Sequence, residues 1–397
     1  MPAVREQLTP PSAPVALDVS QLPNGKDESL VLLQATSAEY LQTQVLNSGE
    51  WSGFLDLPAY LDRETHLLTS DLTKKGRSTA WILTSLNLPA NDDGTRQILA
   101  ACETICKDAY VALDGKLDKI VSHGICSVFC RSEYRGRGYA ARMISELGKQ
   151  LESWQQSNGT KGTFSTLYSD IGTKFYSKLG WQVYPSDHIT LPSISQQEFD
   201  EQARILPSVR DLTFDHLKAL PLVRYTETQV ADSSKKAPST PQVAYAPTAA
   251  IFQWHFMREE FLTRHLNQPF PVAKGAIHEQ SGIALIWART YANNPQDWHL
   301  SSLHIVIPPE VELDESEQVK IFASLLLRAQ LEAQAYAMQQ GVEIWNPPQV
   351  VLRAAELLAK QEVKVITRDE EHLCSLRWNA DLNEEVVWLG NEKYAWC

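Results

Sequence analysis

The chain has 397 residues, 43% of them apolar and 21% charged, enough to build a packed core and to exclude wholesale disorder. Its formal charge of −12 argues against a protein that coats nucleic acid, because that task needs a basic face. No apolar run approaches the ~20 residues of a membrane-spanning helix, the opening residues lack the apolar centre of a secretion signal, and six cysteines are too few for a disulfide framework, so a cytoplasmic protein of two or three domains is expected.

Residues 1–25, rich in proline and serine, read as a loose tail. An apolar run at 30–34 predicts a strand, and the spacing over 37–46 predicts a helix with Ser37 as its N-cap. Residues 66–71 and 79–86 read as paired strands around a turn at Lys74, Lys75, Gly76 and Arg77. Further strands are expected at 98–104 and 109–112, before a turn at Asp114 and Gly115. Residues 124–130 form a strand that enters a glycine-rich turn and then a helix over 138–152. A strand at 162–168, a short helix at 171–179 closed by Gly180, and strands at 181–184 and 188–191 complete a mixed α/β unit.

Polar, proline-bearing residues 230–247 read as a linker, or as a long loop inside the second half. Beyond it the pattern predicts a helix at 251–266, strands at 284–290 and 300–307, and a long helix at 314–339 opened by Asp314 with Glu317 three residues on. A strand at 342–345, a helix at 350–359 and a strand at 364–366 follow. The order of elements in 300–360 echoes that in 124–179. The expected organisation is a tail (1–25), a first α/β domain (26–205), a linker or loop (206–250) and a second α/β domain (251–397) open to being a degenerate copy of the first.

Cys102 with Cys106, and Cys126 with Cys130, mimic paired zinc ligands. Residues four apart on a strand are separated by ~13 Å, too far to converge on one ion. Buried apolar cysteines and no metal are therefore expected.

The informative stretch is Arg135, Gly136, Arg137, Gly138, Tyr139 and Ala140, set between a strand and a helix. Glycines let the backbone turn tightly, the helix start leaves amides without internal partners, and the peptide dipoles favour an anion such as pyrophosphate there. The alternative is an ordinary tight turn carrying two exposed arginines. With the residues downstream, the stretch resembles the acetyl-CoA-binding motif of the GNAT N-acetyltransferases, Arg/Gln-x-x-Gly-x-Gly/Ala, met here by Arg135, Gly138 and Ala140. That family's next elements, a strand and then a short tyrosine-bearing helix before Gly-aromatic, are matched by Thr166 to Ser169 and by Phe175, Tyr176 and Gly180 with Trp181. The resemblance covers roughly residues 30–191 and implies a mixed-sheet GNAT-like fold. A narrower likeness, to the fungal lysine N6-acetyltransferases that open lysine breakdown, rests on Ala101 to Thr104, His123 to Phe129, Glu133 to Ala140 with Arg142 and Met143, and Leu167 to Gly172.

By position, the resemblance implies that the backbone of Val128, Phe129 and Cys130 pairs with the pantetheine arm of acetyl-CoA. Gly136, Arg137, Gly138, Tyr139, Ala140 and Ala141 would cradle the pyrophosphate beside Arg135, and Tyr176 would protonate the departing thiolate. Ser169 stands where many members carry Asn. The implied acceptor is free L-lysine, whose ammonium, of pKa ~10.4, must lose a proton before it attacks. A carboxylate can take that proton, and Glu103, in the strand before the cofactor strand, is the expected base; a surface carboxylate or a core hydrogen-bonding partner are the open alternatives. Another small amine, a protein lysine, or a catalytically silent CoA-binding scaffold also stay open. In the second half, Pro308 and Pro309 with the acids after them offer no phosphate cradle. Its histidines show no metal spacing, and Trp254 with His255 read as core.

Overall fold

The computed structural model describes residues 14, 16–156, 162–380 and 385–396. β1 (Leu30–Gln34) is followed by α1 (Ser37–Trp51) and α2 (Leu57–Leu68), then β2 (Ser78–Ser85) and the long hairpin of β3 (Ala100–Leu113) and β4 (Lys116–Phe129). Next come α3 (Tyr139–Leu151), β5 (Phe164–Ser169), α4 (Lys174–Ser177), β6 (Gln182–Val183) and β7 (Asp187–Leu191). The middle of the chain forms α5 (Gln196–Ala203), β8 (Arg210–Leu212), α6 (Phe214–Ala219), α7 (Leu222–Lys236), β9 (Gln242–Tyr245) and α8 (Ala249–His265). The remainder is β10 (Gly275–Ile277), β11 (Ala284–Thr290), β12 (His299–Val306), α9 (Glu315–Ala335), β13 (Val342–Trp345), α10 (Gln349–Ala359), β14 (Ile366–Thr367), β15 (Leu373–Trp378) and β16 (Val387–Trp388).

Two mixed sheets carry these helices. The first runs β1-β2-β3-β4-β5-β15-β6, with β9 also on β3 and β16 on β9; the second runs β14-β7-β13-β12-β11-β10-β8. α3 packs Met143, Ile144, Leu147 and Leu151 onto the first sheet, together with Trp81, Leu83, Ile125 and Trp181. The apolar stripe expected over 138–152 is thus the stripe that fixes this helix. α9, with Phe322, Leu325, Leu326 and Ala329, does the same for the second sheet. Among the described residues no helix is long and apolar enough to cross a membrane.

The order β12, long helix, β13, short helix repeats that of β4, α3, β5, α4, as the echo in the sequence suggested. The two halves are not separate beads, however. β7 leaves the first half to pair with β13, while β9 and β15 return to the first sheet. The stretch expected as a linker is α7 and β9: residues 230–236 continue a helix that buries Val230 and Ser234, and β9 is fully buried. Asp232, Lys235 and Lys236 lie on the exposed face of the helix, which composition alone does not separate from a loop.

Other local readings also shift. Thr36, not Ser37, caps α1, in a reciprocal box with Glu39. Residues 66–68 end a helix rather than begin a strand, because Asp56 caps α2 and Pro58 occupies its first turn. Residues 98–112 are one strand from Ala100 onward, and Asp114 and Gly115, both at positive φ, turn it directly into β4. Of the expected tail, residues 1–13 and 15 lie outside the described residues. The rest of it is pinned: Leu22 is buried in the α3 core, Leu17 N donates to Tyr134 Oη at 2.8 Å, and Gly25 N donates to Arg137 O at 2.8 Å.

The α1 box carries a stability consequence. Burial opposes charge on Glu39, but the guanidinium of Arg96, whose Nε lies 2.7 Å away, and the amides of Thr36 and Arg96 outweigh it and hold the carboxyl at about 2 rather than 4.5. Because the folded value lies below the unfolded one, this stabilisation is present above pH 4.5 and lost as pH falls toward 2. Glu39→Gln should lower stability at neutral pH by roughly 1–3 kcal/mol. Urea midpoints measured against pH should show the gap to the parent narrowing below about pH 4.

Candidate functional site

The site begins where β4 and β5 part. The two are parallel neighbours only at His123↔Ser165, Gly124↔Thr166 and Ile125↔Leu167, yet β4 runs on to Phe129 and β5 to Ser169. On its other side β4 stays paired with β3 through a register shift between Ala101 and Glu103. Opposite that shift Ser127 adopts φ +52°, a left-handed conformation that bends the strand. The divergence leaves the backbone edge of β4 beyond Ile125 without a strand partner on the β5 side, and such an edge can accept an extended ligand.

A cavity of about 850 Å³ opens at this wedge. Val128, Phe129, Cys130, Arg135 and Ala140 line it, with Tyr176, Phe175 and Glu103. Gly136, Arg137, Gly138, Tyr139 and Ala141 of the glycine loop, and Ser169 of β5, do not line it. Gly136 and Gly138 hold φ +80° and +87°, Gly138 as the N-cap of α3. Among the described residues, no backbone N–H from 136 to 141 donates to another segment. That unpartnered row of amides at a helix start suits a diphosphate. Ala141 is the third residue of α3. Arg137 turns backward, donating to Leu22 O at 2.6 Å, and Tyr139 is buried with its hydroxyl on Pro23 O. These two brace the loop against residues 22–25. A Cβ on Gly25 would stand 2.5 Å from Arg137 O, so the brace needs glycine there. Arg135 donates to Cys130 O at 3.2 Å and pairs with Glu50 at 3.1 Å. Ser169 is buried and spent locally, donating to Gly172 O at 2.8 Å, in keeping with its departure from Asn at that place.

Tyr176 is buried, edge-on to Phe175 at 4.9 Å, and its hydroxyl makes no hydrogen bond among the described residues. Burial, then the charges of Cys102 and Asp170, push its phenol above the ordinary value, so it keeps its proton at neutral pH. Glu103 Oε2 accepts from Tyr40 Oη at 2.6 Å, and burial followed by this carboxylate raises the Tyr40 phenol as well. Burial pushes the Cys130 thiol up to about 11, which leaves it protonated and a poor nucleophile. Cys102 and Cys106 are buried on β3, but Cys126 and Cys130, also expected to be buried, are only partly so because they line the cavity, and no cluster of three or more metal-ligating side chains occurs among the described residues.

The far wall comes from the second half. Trp254 and Arg258 of α8, His372 and Trp396 all face the cavity. Trp254, read as core, is both core and wall. His255 is core: its Nε2 lies 3.1 Å from Tyr394 O, and burial lowers its pKa to about 3. His372 is held at φ +53° with its amide donating to Asp170 Oδ1 at 2.9 Å and its Nδ1 3.0 Å from the same oxygen. Trp396 arrives there because residues 391–396 fill the matching wedge of the second sheet. β12 and β13 pair only at Leu300↔Val342 and Ser301↔Glu343, and Glu392 then takes the amide of Ile305 at 2.7 Å while Asn346 Nδ2 donates to Asn391 O at 2.6 Å. Where the first half leaves its split strands open, the second half plugs its own. Nothing local in the sequence marks these wall residues, since they lie more than 100 residues from the glycine loop.

A family profile described as the LYC1 GNAT-like C-terminal domain matches residues 188–397, over half of the chain. The chain belongs to this GNAT family. The profile begins within β7, the strand at which the chain crosses from the first sheet to the second. A Saccharomyces cerevisiae relative, the uncharacterized protein YGR111W, is 27% identical across 89% of this chain and 94% of its own length. A Yarrowia lipolytica lysine acetyltransferase is 32% identical over 165 residues, 38% of this chain and 40% of that protein. Among solved structures, a GCN5-related N-acetyltransferase from Kribbella flavida aligns over 88% of this chain and 72% of its own, at 15% identity and a TM-score of 0.49. The α/β architecture with its split β4–β5 pair is the GNAT-like fold, and the chain is a GNAT N-acetyltransferase.

Proposed function

We propose that this GNAT enzyme acetylates the ε-amine of free L-lysine with acetyl-CoA by direct attack, as an entry step of lysine degradation. One observation carries the reading: the open β4 edge, a proton-bearing phenol and a carboxylate face a single cavity that the second half closes on its far side. A cavity walled on its far side by Trp254, Arg258 and Trp396 suits a small amine held between the two halves. The lysine acetyltransferase from Yarrowia supports the acceptor, and the protonated Cys130 thiol speaks for transfer without an enzyme-bound acyl group.

In this reading acetyl-CoA supplies the acetyl group as a thioester. The amides of Val128, Phe129 and Cys130 would hold the pantetheine arm and polarise the thioester carbonyl. Gly136, Gly138, Ala140 and Ala141, with Arg135, would hold the diphosphate. Glu103 would take a proton from the ammonium, directly or through water, and Tyr176 would give one to the thiolate. A second base is favoured by a specific feature: the His372 imidazole, oriented by Asp170, faces the same cavity.

The test is thiol release from acetyl-CoA across free amino acids, diamines and a lysine-bearing peptide. Turnover with lysine well above the others is expected; reaction of a different amine with none on lysine would refute the acceptor. Repeating the assay with Glu103→Gln and His372→Gln assigns the base, since loss of it should lower kcat by about 100-fold or more.

A further inference from the structure

Besides Arg135 of the glycine loop, the cavity is lined by two arginines, Arg63 and Arg258, and only Arg63 has hydrogen-bond partners among the described residues. Arg63 donates through Nε to Glu64 at 2.8 Å and through Nη2 to Trp51 O at 3.1 Å. Arg258 projects from α8. Its guanidinium lies 5.6 Å over the Trp396 ring and has no hydrogen bond or ion pair among the described residues. Burial and then the nearby Arg63 cation lower its pKa to about 10, which still leaves it charged at neutral pH. Glu64, the acid whose charge reaches it, is already engaged by Arg63.

Other buried arginines of this chain are paired: Arg289 with Glu259 and Glu332, Arg328 with Asp211 and Glu332. Arg368, whose nitrogens also lack partners, is stacked on Trp345 at 3.9 Å and lines neither this cavity nor its neighbour. A half-desolvated charge without a counterion is costly to keep. Set in a cavity wall over the Trp396 indole, it is matched by a planar anion that arrives with the ligand, and a guanidinium binds a carboxylate with two parallel hydrogen bonds.

We infer that Arg258 is the anchor for the α-carboxylate of a free amino-acid acceptor, and that it makes the enzyme discriminate against amines lacking that group. The inference rests on the free-lysine reading above and adds what selects the acceptor. It gives the second half a role in substrate choice, with the transfer groups on the first half and the carboxylate anchor on α8.

The experiment compares L-lysine, L-lysinamide and 1,5-diaminopentane with the parent enzyme and with Arg258→Met and Arg258→Lys. The parent should prefer lysine over both analogues by about 100-fold in kcat/KM, within the range lost when one partner of a desolvated charge pair is removed. Arg258→Met should lose about 100-fold on lysine and little on 1,5-diaminopentane, so that the preference collapses, with the KM for acetyl-CoA unchanged. Arg258→Lys, which keeps the charge and guards against misfolding of the methionine variant, should retain a preference smaller than the parent's. Equal losses on all three amines, or a parent enzyme indifferent to the carboxylate, would overturn the inference. If the parent acetylates lysine but the variants keep its selectivity, the anchor fails and the lysine reading stands. If another carboxylate-bearing amine is the acceptor and depends on Arg258, the anchor stands and lysine falls.

Discussion

Gly138→Glu should abolish acetyl-CoA binding, while Gly138→Ala should weaken it by only about tenfold. Gly138 holds φ +87° at the start of α3, a conformation that costs an L-residue roughly 1–2 kcal/mol. A Cβ there would meet Gly25 Cα at 3.7 Å, an ordinary contact, so alanine tests backbone strain alone and the fold survives it. Glutamate adds a negative charge among the unpaired amides of 136–141, where a diphosphate would collect their hydrogen bonds. Like charges within ~4 Å at a protein surface repel by several kcal/mol, and the helix start then favours its own carboxylate over the ligand. Equilibrium dialysis with acetyl-CoA should show affinity falling more than 100-fold for glutamate, with an unchanged circular dichroism spectrum. Tight binding by the glutamate variant would mean that the diphosphate lies elsewhere.

What the sequence made legible was chemistry held within a short span. The turn from Cys130 to Tyr139 and the amphipathic stripe of α3 are each set by neighbours a few residues away and have the expected form, while the helix bearing Tyr176 is present but shorter than the expected 171–179, spanning only Lys174–Ser177. Long-range partnership was not legible. Lys107 falls in the gap between the strands expected at 98–104 and 109–112, yet it is fully buried in β3, its ammonium donating to Ala395 O at 2.5 Å and lying 5.3 Å from the Tyr245 ring. The polar string ending α7 reads as linker because its buried partners, on β3 and β9, are over a hundred residues away or follow a turn. Arg258, His372 and Trp396 carry no motif. A single arginine on an otherwise buried helix gains meaning only when the pairing of every neighbouring acid is known, and that is a property of the packed molecule. The same holds for the plugged wedge of the second sheet: Pro308 and Pro309 show that no phosphate cradle is present, but not that Glu392 would take over the free amide of Ile305.

Tyr176→Phe should lower kcat by roughly 100- to 1,000-fold and leave acetyl-CoA affinity within about threefold. The change is confined to one oxygen. The ring keeps its edge contact with Phe175 and its place beneath Gly180, where Trp181 N donates to Tyr176 O at 3.1 Å, so packing and the cofactor wedge are preserved. The hydroxyl has no protein partner among the described residues, so its loss leaves no buried group stranded and costs little stability. What disappears is a proton that burial keeps on the phenol across the physiological range. A thiol of pKa ~8.5 leaves less readily as a free thiolate than as a thiol, so the defect should shrink with an acetyl thioester of a more acidic thiol, which needs no donor. A structural role would predict the opposite pattern: a raised KM, an equal loss with both thioesters and a lowered melting temperature. Steady-state kinetics with the two acyl donors separates these outcomes, and an unchanged kcat with acetyl-CoA would remove Tyr176 from the reaction.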